Sequence, residues 1–183
     1  MCERSVPNVP AEVLSRLAQA RSLLVITHAR PDGDGLGSMA ALVHAARSSG
    51  RDAWALLSDN VPDRYRFLFA DVPPAPASRL DELGDQVDLI VIVDTSAYAQ
   101  LDDLEQGLAK RLHKILVIDH HVPGVPIGAW RWQDESAAAA GVMVGEIIES
   151  LGWPMDTFTA EALATALSGH RYHISTTSLN PKL

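Results

Sequence analysis

Three short aliphatic runs in this chain end abruptly in residues of the kind that bind metal ions. Leu23-Leu24-Val25-Ile26-Thr27 runs into His28, Leu89-Ile90-Val91-Ile92-Val93 into Asp94, and Ile115-Leu116-Val117-Ile118 into Asp119-His120-His121. Apolar runs of this length are expected where both faces of a parallel sheet are covered. Ligands of such sheets bind at the carboxyl ends of the strands. The recurrence therefore constrains fold and site together: an α/β fold, a parallel sheet with helices on both faces, and polar groups gathered along one edge.

The intervening sequence fits this plan. Strands are predicted over residues 22–27, 51–57, 88–94 and 114–118, with Trp130-Arg131-Trp132 as an edge strand. Apolar residues at helical spacing predict helices over 10–20, 37–47, 63–69, 97–108, 136–151 and 157–167. Gly50 and Gly152 are expected to close the second and fifth of these, and Thr157 or Thr159 to cap the last. Residues 73–76 read as a connector, and 168–183 as a polar tail without periodicity that carries His170 and His173.

The richest stretch is 25–38, Val-Ile-Thr-His-Ala-Arg-Pro-Asp-Gly-Asp-Gly-Leu-Gly-Ser. Pro31, Gly33, Gly35 and Gly37 allow tight bends, so His28, Asp32 and Asp34 can converge on a small volume. Two carboxylates that close repel, and one would stay protonated unless a cation sat between them. Each group has a simpler explanation when taken singly. His28 could be a loop histidine, Asp32 and Asp34 turn residues, Asp94 a helix cap, and His120-His121 a surface pair. Their common position at strand ends favours a metal site. Carboxylates and imidazoles without thiolates suit Mn²⁺ or Mg²⁺, with Co²⁺ or Zn²⁺ as substitutes. The carboxylates exceed what one ion needs, so two ions roughly 3.5–4 Å apart are expected, an arrangement suited to phosphoryl chemistry.

Composition narrows the substrate. A net charge of −8 argues against a broad basic surface for long duplex nucleic acid, whereas bound cations would still admit a short nucleotide. Cys2 is the only cysteine, which excludes an intrachain disulfide and is compatible with a cytoplasmic location. The first residues carry no apolar signal core, and the run Leu89-Ile90-Val91-Ile92-Val93 is far too short to span a bilayer. A homo-oligomer is compatible with the sequence.

The pattern His-x-x-Pro-Asp-Gly-Asp-x-x-Gly-Ser from His28 to Ser38, the strand ending in Asp94, and Asp119-His120-His121 together resemble the DHH phosphoesterase superfamily. Within it the resemblance is to the bacterial nano-RNase and pAp-phosphatase subfamily, to which Ser136-Ala137-Ala138-Ala139-Ala140-Gly141 and Glu146 add. It covers roughly residues 22–167 and implies the N-terminal catalytic domain of that family. By this resemblance Asp94 would bridge two Mn²⁺ ions, His28 and Asp32 would hold one, and Asp34 and His120 the other. His121 would touch the scissile phosphate, and Asp119 would orient the histidines. Arg30 would either help neutralise phosphate or remain a solvated loop charge. The implied substrates are short oligonucleotides or 3′-phosphoadenosine 5′-phosphate (pAp). Pyrophosphate or polyphosphate hydrolysis and a non-catalytic nucleotide-binding role are the alternatives. Gly35 stands where the family often has Ala, a change expected to leave the ligands undisturbed. The family usually supplies a further aspartate after the last helix, where this chain reads Ala166-Leu167-Ser168-Gly169-His170. It also carries a second, substrate-binding domain. Residues 1–167 are thus expected to be the catalytic domain, and 168–183 an atypical tail left by truncation or frameshift.

Overall fold

The computed structural model describes residues 9–122 and 124–176, with 169–176 described as backbone alone. The strands are β1 (Ser22–Ile26), β2 (Asp52–Leu57), β3 (Ala75–Pro76), β4 (Leu89–Val93), β5 (Ile115–Asp119) and β6 (Trp130–Gln133). The helices are α1 (Ala11–Gln19), α2 (Gly33–Ser48), α3 (Leu80–Gln86), α4 (Glu105–Ala109), α5 (Ala140–Ser150) and α6 (Thr157–Thr176). The strands form one sheet in the order β3-β2-β1-β4-β5-β6, and every neighbouring pair is parallel. This is the doubly wound order, in which the chain reverses its direction of travel between β1 and β4.

Alternation along each strand divides the core in two. Leu23, Val25, Val91, Val93, Leu116 and Ile118 face a layer that includes residues of α1, α2, α5 and α6. Leu24, Ile26, Ile90, Ile92, Ile115 and Val117 face the opposite layer, with Leu80, Leu83 and Leu108 from α3 and α4. Helices thus cover both faces, as the unbroken apolar runs require. Among the described residues no helix is long and apolar enough to cross a membrane.

Several boundaries differ from the sequence reading, each for a local reason. α2 begins at Gly33 rather than at residue 37, because the Asp32 carboxylate accepts hydrogen bonds from the Asp34 and Gly35 N–H groups and caps it. Gly37 lies inside the helix because α6 presses against it: a Cβ there would come 2.5 Å from the Ala162 carbonyl oxygen. Gly50 and Gly152 do follow their helices, in the left-handed conformation at φ +85° and +62°. Residues 98–100 and 102–104 form two 3₁₀ turns before α4, and Asp102, which opens the second, is left-handed at φ +44°. The predicted 97–108 helix is therefore broken. Ala139 is extended, so α5 starts at Ala140 rather than at residue 136. Asp156, not Thr157 or Thr159, caps α6, accepting from the Thr159 N–H at 2.9 Å. The 73–76 connector contains β3, paired with the end of β2, and α3 has no counterpart among the predicted elements. α6 continues past residue 167 to Thr176. The His170 and His173 side chains, Cys2 and the rest of the first residues, and 177–183 lie outside the described residues.

Candidate metal centre

The reversal between β1 and β4 falls where doubly wound sheets bind their ligands, at the carboxyl edge, and the sequence-predicted residues arrive there from separate elements. His28 follows β1, Asp94 follows β4, and Asp119, His120 and His121 end or follow β5. Asp32 and Asp34 come from the cap and first turn of α2.

Asp94 is the common partner. Its backbone turns left-handed, at φ +62°, a conformation that aspartate tolerates better than most residues. Its N–H is held by the Ile118 carbonyl at 3.0 Å. The side chain is buried, with Oδ2 3.5 Å from His28 Nε2. Oδ1 lies 3.4 Å from His120 Nε2 and 3.8 Å from His121 Nδ1. Asp32 Oδ1 lies 3.8 Å from His28 Nε2. These separations exceed those of well-formed N–H···O hydrogen bonds. The contacts of Asp94 with His28 and His120, at 3.5 and 3.4 Å, match two ligands of one cation, since atoms about 2.0–2.2 Å from an ion stand roughly 3.0–3.5 Å apart. Asp94 Oδ1 is buried without a hydrogen-bond partner, an expensive arrangement unless something else satisfies it. The donor set and this orphaned oxygen fit divalent cations.

Among the described residues, two trios bring ligand atoms within 4.8 Å of one another: His28, Asp32 and Asp94, and Asp94, His120 and His121. The first is the trio the sequence suggests around one ion. In the second, His121 stands where Asp34 was expected. Asp34 is close, with Oδ2 3.4 Å from His120 Nε2, but its carboxylate also serves α5. Oδ2 accepts from the Ala140 N–H at 2.9 Å, and Oδ1 from the Gly141 N–H at 3.0 Å and Ser38 Oγ at 3.2 Å. No side chain of Ala139 caps α5, so Asp34 supplies the negative charge its N-terminus favours.

His28 and His120 are each oriented through the nitrogen turned away from Asp94, and His121 through the same Nδ1 that lies nearest Asp94. His28 Nδ1 is 2.8 Å from the Ala29 carbonyl, and His120 Nδ1 is 3.3 Å from the Ala137 carbonyl. His121 Nδ1 is 2.8 Å from Asp119 Oδ1. Gln133, a residue the sequence reading passed over, donates from Nε2 to the His121 carbonyl at 2.6 Å. It lies at the end of an edge strand with no motif around it. Arg30 is exposed on the same rim, its backbone left-handed at φ +52° and its N–H bonded to Asp59 Oδ2 at 2.6 Å.

Protonation reflects the crowding. Burial opposes the His28 imidazolium, but the facing carboxylates of Asp32 and Asp94 outweigh it and push its pKa up to about 10. Burial raises Asp32, and His28 with the Gly35 and Asp34 N–H groups overcomes this, bringing it down to about 2. Burial and repulsion from Asp94 push Asp34 up to about 6. The contact with Asp94 raises His120, and that with Asp119 raises His121.

A Cβ at Gly35 would collide with Thr27 Oγ1 and lie 3.3 Å from His28 Nε2. Glycine there permits the close approach of α2 to the end of β1, so in this chain an alanine would disturb a proposed ligand.

Fold and site together define a doubly wound α/β domain with a carboxylate–imidazole centre at its switch point. Residues 22–169 match the DHH family, N-terminal domain, and the chain belongs to that family. It is 26% identical over 168 residues to the bifunctional oligoribonuclease and PAP phosphatase NrnA of Bacillus subtilis, covering 86% of this chain and 49% of that protein. The NrnA of Thermus thermophilus is 28% identical over 160 residues, covering 87% of this chain and 44% of that protein. The chain thus spans about half the length of the curated relatives it matches. An exopolyphosphatase-related protein from Bacteroides fragilis shares the fold, with a TM-score of 0.83 at 20% identity over 94% of this chain and 54% of that one. The exonuclease RecJ bound to manganese does so more loosely, with a TM-score of 0.52 at 21% identity over 85% of this chain and 41% of that one.

Proposed function

We propose that this domain carries the metal centre of a phosphoester hydrolase acting on short oligonucleotides or pAp, with Mn²⁺ as the first-choice cofactor. The observation that carries the reading is Asp94, a buried carboxylate at the switch point with His28 on one oxygen and His120 on the other. NrnA relatives named for both activities support the substrate class, and the manganese-bound RecJ neighbours support the metal. In this reading His28, Asp32 and Asp94 hold one ion, and Asp94 and His120 hold a second with Asp34 or His121. Bound cations would supply Lewis-acid polarisation of the phosphoryl group and activation of the attacking water. The chain's own residues do the positioning. Asp119 fixes the His121 ring from Nδ1, which would leave Nε2 to meet the phosphate. Arg30 would offset phosphate charge. The carbonyls of Ala29 and Ala137 hold the His28 and His120 rings so that Nε2 of each faces Asp94.

A Mn²⁺-dependent assay with a short oligoribonucleotide, pAp and polyphosphate tests the proposal. Turnover of either nucleotide, lowered at least about 100-fold by Asp94→Asn in a protein of unchanged circular dichroism, is the expected result. Wild-type turnover in Asp94→Asn would overturn it. The stretch Ala166–His173, which reads Ala-Leu-Ser-Gly-His-Arg-Tyr-His where a further aspartate was expected, favours a second reading, a metal-binding protein that does not hydrolyse. Stoichiometric Mn²⁺ binding without turnover of any of the three compounds would select it.

A further inference from the structure

A cleft of about 330 Å³ lies where the chain leaves β2 and where it enters β3. Its size falls within the usual range for small-molecule sites. Leu57, Asp59, Asn60, Pro73, Pro74 and Pro76 are among its lining residues. The proline rings are apolar, and their fixed backbone makes a wall that loses little freedom on binding. Pro76 is tolerated in β3 because that strand lies at the sheet edge.

The cleft is joined to the metal centre through the Arg30 loop. Asp59 Oδ2 takes the Arg30 N–H at 2.6 Å, two residues after His28. Neighbouring strands lie about 5 Å apart, so the end of β2 stands one strand spacing from the end of β1. Its chemistry is that of a neutral, donor-rich ligand. Asp59 offers carboxylate oxygens, which repel phosphate and accept from hydroxyls. The Asn60 carboxamide offers a donor and an acceptor, the pattern that reads a base edge. In doubly wound sheets that bind dinucleotides, an acidic residue after the second strand takes the ribose hydroxyls; Asp59 follows β2 in the corresponding position.

We propose that this cleft is a nucleoside subsite: Asp59 accepts from the ribose hydroxyls, and the base packs against Pro73, Pro74 and Pro76 with Asn60 at its edge. The phosphate of such a nucleotide then points along the rim toward Arg30 and His28. This assignment rests on the hydrolase reading for its purpose but not for its test. The carboxylate's preference for a 2′-hydroxyl would let the site distinguish ribose from deoxyribose.

The test uses adenosine and 2′-deoxyadenosine with the full chain in EDTA, followed by amide chemical shifts. Adenosine is expected to shift the amides of Ser58, Asp59, Asn60 and Ala75 saturably, and 2′-deoxyadenosine to bind about tenfold more weakly, as for one hydrogen bond to a charged group. Asp59→Asn keeps an oxygen for the Arg30 N–H and should erase most of that difference. Asn60→Trp, at an exposed position, should fill the cleft and abolish binding of both. Absence of shifts at these amides up to the solubility limit, or equal binding of the two nucleosides unaltered by Asp59→Asn, would overturn the subsite. Neither result depends on turnover: a chain that hydrolyses bis(p-nitrophenyl) phosphate but ignores adenosine loses only the subsite. One that binds adenosine but hydrolyses nothing loses only the hydrolase reading.

Discussion

Gly35 places its α-carbon against Thr27 and His28, and Thr27 Oγ1 in turn donates to the Val93 carbonyl at 3.0 Å. That hydrogen bond ties the end of β1 to the end of β4, the two strands that flank the switch point. A methyl group at Gly35 has to displace Thr27, which is stiff at χ1, or push on the His28 ring. Gly35→Ala should therefore cost about 1–3 kcal/mol, the usual penalty for overpacking. At this chain length that lowers the melting temperature by roughly 2–4 °C per kcal/mol. Mn²⁺ affinity should fall as well, because His28 is moved off Asp94. Thermal melts in EDTA and a Mn²⁺ titration check both. An unchanged melting temperature would mean that β1 and α2 separate more easily than their packing indicates.

At the level of elements, Asp34 joins α2 to α5, because both of its oxygens accept from the first turn of α5. If it were a metal ligand alone, its removal would leave the metal-free protein as stable as before, or more so through lost repulsion with Asp94. If it caps α5, Asp34→Ala strands two buried N–H groups and should destabilise the protein in EDTA by about 1–3 kcal/mol. Chemical denaturation in EDTA separates these outcomes. The same contact shows where the sequence stopped being legible. Every strand but β3, and the gathering of polar residues at the strand ends, could be read, because unbroken aliphatic runs and abrupt polar ends are local signals. The start of α2 could not. Gly33, Gly35 and Gly37 look like helix breakers by propensity, yet Gly35 and Gly37 are inside the helix because β1 and α6 press on them. The alanines from Ala137 to Ala140 look helical, yet Ala137 is held outside α5 with its carbonyl against His120. Both errors arise from partners distant in sequence, which no local window contains. Gln133 escaped notice for a related reason: it acts by bonding a backbone carbonyl that only the sheet brings near.

For the molecule as a whole, the proposed centre would set protons against cations at one crowded cluster. His28 has a pKa raised to about 10, against an unfolded value near 6.5. The stability it contributes is fully present below about 6.5 and is lost as pH rises through about 10. Asp34 is raised to about 6 from an ordinary value of about 3.9. Its protonated form is favoured by folding, so its contribution also declines as pH rises, between about 4 and 6. Asp32, lowered to about 2, stabilises above about 4 and loses that effect only as pH falls through about 2, so it does not act in the same window. Without added metal, these three groups make the folded centre less stable at pH 9 than at pH 6. A divalent cation must displace the proton on His28, and below about pH 6 that on Asp34 too, so its apparent affinity rises with pH by up to tenfold per unit for each proton released. The increase in melting temperature produced by Mn²⁺ should accordingly be larger at pH 8 than at pH 6. Titration calorimetry in two buffers of different ionisation enthalpy should show proton release at pH 8. In Asp94→Asn the carboxylate that faces both His28 and His120 is neutral, and proton release and stabilisation should shrink together. Equal stabilisation by Mn²⁺ at both pH values, with no proton released, would place the cation away from these imidazoles.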